Sequence, residues 1–201
     1  RLGEDRRQSI RDAFAAFRLP HEVPYEIVFR SSPMGANAFA LPSGLVIVTD
    51  ELVKLAANDE EIAAVLAHEL GHVARRHGMR QVVQASIVGA VFAWWLGDVS
   101  SVVTAAPALL LEAKYSREFE QEADDYAAAL LRASGRSPEL LASMLERLGT
   151  APSHDDEDSA AGEGKAPAPT TNKSERRPTI FDYLSSHPAT EARVARLRAG
   201  G

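Results

Sequence analysis

Two histidines with three residues between them, the first followed by a glutamate, occur at His68-Glu69-Leu70-Gly71-His72. On a helix, side chains four residues apart lie about 40° apart around the axis and about 6 Å apart along it, so both imidazoles can face one ion. A glutamate at the second position of this motif suits a general base for the attacking water, rather than a ligand. Catalytic zinc takes three protein ligands and keeps one place open, so the pair calls for a third donor. His77, five residues past His72, turns away from the pair on a continuous helix and is not counted as a ligand. A carboxylate from a second helix fits. The segment Ser116-Arg117-Glu118-Phe119-Glu120-Gln121-Glu122-Ala123-Asp124 offers Glu118, Glu120 and Glu122 within two turns. Spacing alone does not choose among them, and acidic residues at a helix start are also favoured by the helix dipole. One clue favours Glu120: Asp124 lies four residues on, on the same face, where it would accept the second ring proton of a ligating histidine.

These side chains need helices to hold them. Asn58 or Asp59 caps one, with Glu60 and Glu61 in its first turn. Ile62, Val65, Leu66, Leu70 and Val73 give it an apolar face, and Gly78 is its expected stop. A second helix runs from about Ser116 to Ala133. Upstream, Glu4 to Phe17 reads as an amphipathic helix, with Ile10, Phe14 and Phe17 on one side, and Pro20 and Pro24 break it. Tyr25 to Arg30 alternates as a strand does. Asn37 to Leu41 and Leu45 to Thr49 are two more strands, joined by the hairpin signal Pro42-Ser43-Gly44. Shorter helices are expected over Asp50–Ala57, Pro138–Leu148 and Ala189–Arg198. The fold class is α+β: mainly helical, with a small three-stranded antiparallel sheet before the His68 helix.

The 201 residues make one domain, 1–201. A net charge of -6 and the lack of any basic stripe argue against nucleic acid as a partner. The absence of cysteine excludes a disulfide framework, a Cys-ligated metal and a Cys nucleophile. The chain starts at Arg1, which suggests a piece whose targeting or anchoring segment lies upstream. Val82 to Leu111 holds a single charge, Asp98, and Gly97-Asp98 divides it into parts of about fifteen and thirteen residues, short for a span of about 20. A buried helical hairpin is the preferred reading. The alternative is a flap on a membrane surface, with Trp94 and Trp95 at the interface. Residues 151–178, rich in Pro, Ala, Gly, Ser and charge, read as a flexible insertion.

His68 to His72, then Ser116 to Asp124, then Ser186-His187-Pro188 followed by Arg193, resemble in order the gluzincin family of zinc metallopeptidases that contains HtpX, BepA and the CAAX prenyl protease. Asn37 to Gly44 resembles that family's edge-strand hairpin. The likeness runs from about residue 23 to 198, least of all over 151–178. It implies a zincin-like domain holding one Zn2+ through His68, His72 and Glu120, with Glu69 as catalytic base. It also implies that Asp124 supports a zinc-bound histidine, expected to be His68, and that Arg193 holds an acidic partner near the site. For His187 two roles are implied: stabilising the transition-state oxyanion, or swinging in as a fourth ligand that silences the site. The implied activity is endopeptidase cleavage of protein or peptide substrates. Such substrates would lie extended along the strand edge at Asn37, Ala38, Phe39 and Ala40. Family members with several spans carry them where 82–111 lies, and this stretch is short for that. Membrane-associated quality control on the periplasmic side of a bacterial membrane follows from the same likeness. A chaperone-like binding module, or a latent protease blocked by His187 or the 151–178 loop, stays open as an alternative.

Overall fold

Strands β1 (Glu26–Arg30), β2 (Ala38–Ala40) and β3 (Leu45–Thr49) lie in the order β1-β3-β2 in a computed structural model of the chain. The structure describes residues 1–19, 23–33, 35–96, 116–150, 183–188 and 190–200. The second half of the apolar stretch and the whole 151–178 insertion lie outside the described residues. β2 and β3 form the expected antiparallel hairpin, with Ala38 opposite Val48 and Ala40 opposite Val46. β1, however, runs parallel to β3, with Ile27 opposite Val46. The sheet is therefore mixed, not antiparallel throughout. The loop after β1 reverses the chain, and the hairpin then returns β3 into the place beside β1, so β3 points the same way as β1. Gly44 closes the hairpin at φ 90°, and a Cβ there would lie 2.1 Å from the Pro24 carbonyl oxygen.

Helices α1 (Glu4–Ala15), α2 (Asp50–Leu55) and α3 (Asp59–Ala74) flank the sheet in sequence, and the Thr49 hydroxyl caps α2 by accepting from the Leu52 N–H. Asn58 caps α3, its side-chain oxygen accepting from the Glu61 N–H at 2.9 Å. The sequence gives α3 one apolar face, but the structure buries it on every side from Glu61 to His72. Helix α1 covers it through Ile10 and Phe14, and α6 (Glu139–Thr150) contributes Leu141, Met144 and Leu145 to the same core. A helix buried all round is the centre of its domain. Any polar side chain on it must then be satisfied by other buried groups.

Helix α3 does not run on to Gly78. It ends at Ala74, where the Arg75 N–H donates to Gly71 O and the Arg76 N–H to Val73 O. Arg76 then takes a left-handed φ of 55°. Helix α4 (His77–Leu96) starts immediately after, so Gly78 sits in its first turn. Helix α5 (Arg117–Ala133) crosses α3 closely: a Cβ on Gly71 would meet the Ala123 backbone at 3.1 Å. Helices α7 (Tyr183–Ser186) and α8 (Glu191–Ala199) complete the described elements. On α4, Met79, Val83, Ile87, Trp94 and Trp95 are exposed, the two tryptophans by 87% and 75%. Among the described residues no helix is long and apolar enough to cross a membrane.

Candidate metal centre

His68, Glu69 and His72 project from the most buried stretch of α3, with relative exposures of 0%, 1% and 2%. Because Gly71 has no side chain, α5 comes near enough to bring Glu120 against both rings. The two Nε2 atoms are 3.0 Å apart. Glu120 Oε2 is 3.4 Å from His68 Nε2, and Glu120 Oε1 is 3.4 Å from His72 Nε2. His187, just after α7, adds Nδ1 at 2.9 Å from Glu120 Oε1. These four residues place their donor atoms within 4.8 Å of one another. So many lone pairs turned inward repel unless protons or a cation lie between them. The donor set, two imidazoles and a carboxylate with a third imidazole beside them, fits a divalent zinc ion.

A second layer fixes the first. Asp124 Oδ1 lies 3.0 Å from His68 Nδ1. Arg193, on α8, donates through Nε to Asp124 Oδ2 and through Nη2 to Oδ1, both at 2.8 Å. Its Nη1 is 2.7 Å from Glu120 Oε2 and donates to the Pro188 carbonyl at 2.9 Å. One guanidinium thus ties together the second helix, the loop carrying His187 and both acidic groups. The Tyr183 ring stacks on His187 at 4.7 Å. Of the other acidic candidates, Glu118 is exposed and Glu122 turns elsewhere.

Glu122 turns to His77. Its Oε2 is 3.1 Å from His77 Nε2, and His77 Nδ1 is 2.9 Å from His72 Nδ1. On a continuous helix, five residues rotate a side chain about 140°, which would turn His77 away from His72. The break at Arg75 and Arg76 cancels that rotation. No residue type announces it, since a left-handed arginine leaves no signature in the sequence.

Glu69 is held at the strand edge. A carboxylate oxygen accepts the Ala40 backbone N–H. Its Oε1 is buried, makes no hydrogen bond among the described residues, and lies 3.6 Å from His187 Nε2. β2 pairs with β3 alone among the described strands, leaving its other edge toward α3. Asn37 and Ala38 are buried, and the Asn37 main chain is bonded to Thr49 at both its N–H and its carbonyl. A cavity of about 30 Å³ separates Ala40 and Leu41 from His72 and Val73. A much larger groove of about 950 Å³, lined by Glu146, Thr150, Thr190 and Arg198, holds none of the centre's residues.

Electrostatics differ sharply over a few ångströms. Burial opposes charge on His68, but Asp124 and Glu120 outweigh it and hold its pKa up at about 9 among protein groups alone. Burial pushes His72 well below the ordinary histidine value. It also pushes Glu69 up, against the pull of His187 and His68. Glu120 is buried too, yet His187, His68 and His72 keep its carboxyl far below the usual carboxylate range. Two neighbouring carboxylates are thereby driven apart, the pattern expected where one binds and the other moves protons.

Residues 2–200 match the model of Peptidase family M48. The mitochondrial metalloendopeptidase OMA1 of Arabidopsis thaliana is 28% identical over 174 residues, 85% of this chain and 30% of that protein. The metalloprotease LoiP of Escherichia coli is 36% identical over 126 residues, 56% of this chain and 47% of that one. A protease HtpX homolog of Desulforapulum autotrophicum is 32% identical over 196 residues, 82% of this chain and 60% of its own length. Alignments with these relatives span between 30% and 60% of their lengths.

Proposed function

Because the chain belongs to peptidase family M48, we propose that it is the catalytic domain of a zinc-dependent endopeptidase. In this reading His68, His72 and Glu120 hold the ion and Glu69 is the general base. The observation that carries it is the convergence of both Nε2 atoms and the Glu120 carboxylate, with Glu69 beside them in a buried centre. Bound zinc would supply Lewis acidity, polarising a carbonyl and making water a better nucleophile near neutral pH. Glu69, with its pKa raised by burial, takes the proton of the attacking water and returns it to the leaving amine. Asp124 accepts the Nδ1 proton of His68 and so leaves Nε2 free to bind. An extended substrate adds to the edge of β2 away from β3, near Phe39 and Ala40, with the Ala40 N–H already held by Glu69, and main-chain pairing there recognises any unfolded protein segment. That suits a quality-control protease. Glu69→Gln keeps the shape and the ligands, so it should retain one zinc per chain and lose casein hydrolysis. Activity surviving in that variant would reject the assignment of Glu69.

His187 carries two readings. Its Nε2 faces Glu69, which suits a donor to the developing oxyanion. Its place among the four clustered donors instead suits a closed, latent site. His187→Ala separates them: hydrolysis falls under the first reading and rises under the second. Location at a membrane surface is supported by the exposed apolar residues of α4, Trp94 and Trp95 included. Sedimentation with anionic lipid vesicles, lost on the double change to serine at both tryptophans, is the expected result. Equal binding by that variant would reject it.

A further inference from the structure

His77 and Glu122 lie outside the ligand set and outside the proposed proton path, yet they make a continuous chain to His72. His72 Nδ1 and His77 Nδ1 are 2.9 Å apart, and His77 Nε2 is 3.1 Å from Glu122 Oε2. We infer that His77, oriented by Glu122, is a positioning residue that locks His72 in the tautomer with its proton on Nδ1, keeping the Nε2 lone pair turned to the metal centre. This rests on the zinc-site reading above.

Between two ring nitrogens 2.9 Å apart there is one hydrogen. If His72 donates it, His77 Nδ1 is the acceptor, and neutral His77 carries its proton on Nε2. That N–H then donates to the Glu122 carboxylate, and every contact is satisfied. If His77 donates instead, its bare Nε2 faces a carboxylate oxygen at 3.1 Å, lone pair against lone pair. His72 would then carry its proton on Nε2, the atom that must bind. A doubly protonated His77 would escape this conflict. It would also be a cation with no solvent exposure, beside Arg80, whose Nη1 already donates to the same Glu122 at 3.0 Å. The ring has little freedom to choose otherwise. It stacks on Phe119 at 4.4 Å with planes 3° apart, and the Arg80 guanidinium also packs over Phe119, 4.3 Å from that ring. His68 is thus oriented by a carboxylate directly, and His72 by a carboxylate acting through a second imidazole. Both carboxylates come from α5, one residue either side of Ala123, and the Arg75–Arg76 break makes the second arm reachable.

Two readouts test this. In metal-free, 15N-labelled protein, two-bond proton–nitrogen correlations should show His72 protonated on Nδ1 and His77 on Nε2. His77→Phe keeps an aromatic ring against Phe119 but offers no acceptor. It should let His72 populate the other tautomer and weaken Zn2+ binding, measured by chelator competition, about 10- to 100-fold. His77→Gln can still accept from His72 and donate to Glu122, so it should restore both the tautomer and most of the affinity. His72 protonated on Nε2 in the unchanged protein would overturn the inference, as would unaltered Zn2+ affinity in a folded His77→Phe. Should His77→Phe not fold, the unchanged protein and His77→Gln still decide it. Failure of the unchanged protein to bind Zn2+ at all would strike the zinc reading, while the tautomers would still report on His77 separately.

Discussion

Asp124 shows how much one buried side chain can carry. It orients His68, and it takes two hydrogen bonds from Arg193, itself nearly buried. Removing one member of a buried ion pair strands the other's charge. Asp124→Ala should therefore cost about 3–5 kcal/mol in urea unfolding, and weaken zinc binding as well. A loss of affinity without any loss of stability would mean that Glu120 and the Pro188 carbonyl are enough to hold the Arg193 charge. At this scale the sequence is legible where chemistry follows helical spacing: His68 and His72 four apart, Glu120 and Asp124 four apart. It is illegible at His77, since the same spacing rule, applied across an unseen break, turns that side chain the wrong way. Tyr183, stacked on His187 and fully buried, was missed for a different reason. A lone tyrosine ahead of a Ser-His-Pro turn carries no pattern to read.

The crossing of α3 and α5 at Gly71 and Ala123 sets the distance between the histidines and Glu120. A methyl group at Gly71 would press on Ala123 backbone and the Tyr126 Cβ at 3.1 to 3.2 Å, tighter than helices accept without shifting. Gly71→Ala should destabilise the fold by about 1–3 kcal/mol, the usual cost of overpacking, and reduce Zn2+ affinity by widening the ligand triangle. Thermal unfolding with and without Zn2+ measures both. A variant as stable and as tight-binding as the parent would mean that the helices have slack. Caps and periodicity place these helices in the sequence to within a few residues. The direction of β1 is not so readable, because the hairpin signal at Pro42 to Gly44 describes β2 and β3 and says nothing about which strand β1 will join. Nor does an apolar face tell that α3 is covered on all sides. That depends on α1, α5 and α6 arriving from distant parts of the chain.

Across the whole molecule, a centre this buried couples metal, protons and stability. His68 has a folded-state pKa of about 9 against an ordinary 6.5, so among protein groups alone the folded state holds this proton more tightly than the unfolded chain does. Its contribution is fully present below pH 6.5 and is lost as pH rises through 9. Chelated protein should therefore lose stability between those values, followed by urea midpoints across the range. Zinc-loaded protein should run the other way, since protons compete less for the ligands as pH rises. A chelated protein whose midpoint climbs from pH 6.5 to 9 would remove His68 as the dominant titrating group. The direct observation of the metal itself matters most. Anomalous diffraction at the zinc edge, on the zinc-loaded full chain, should show one ion about 2.0–2.2 Å from His68 Nε2, His72 Nε2 and a Glu120 oxygen. An ion bound elsewhere, or one that does not touch Glu120, would contradict the assigned centre.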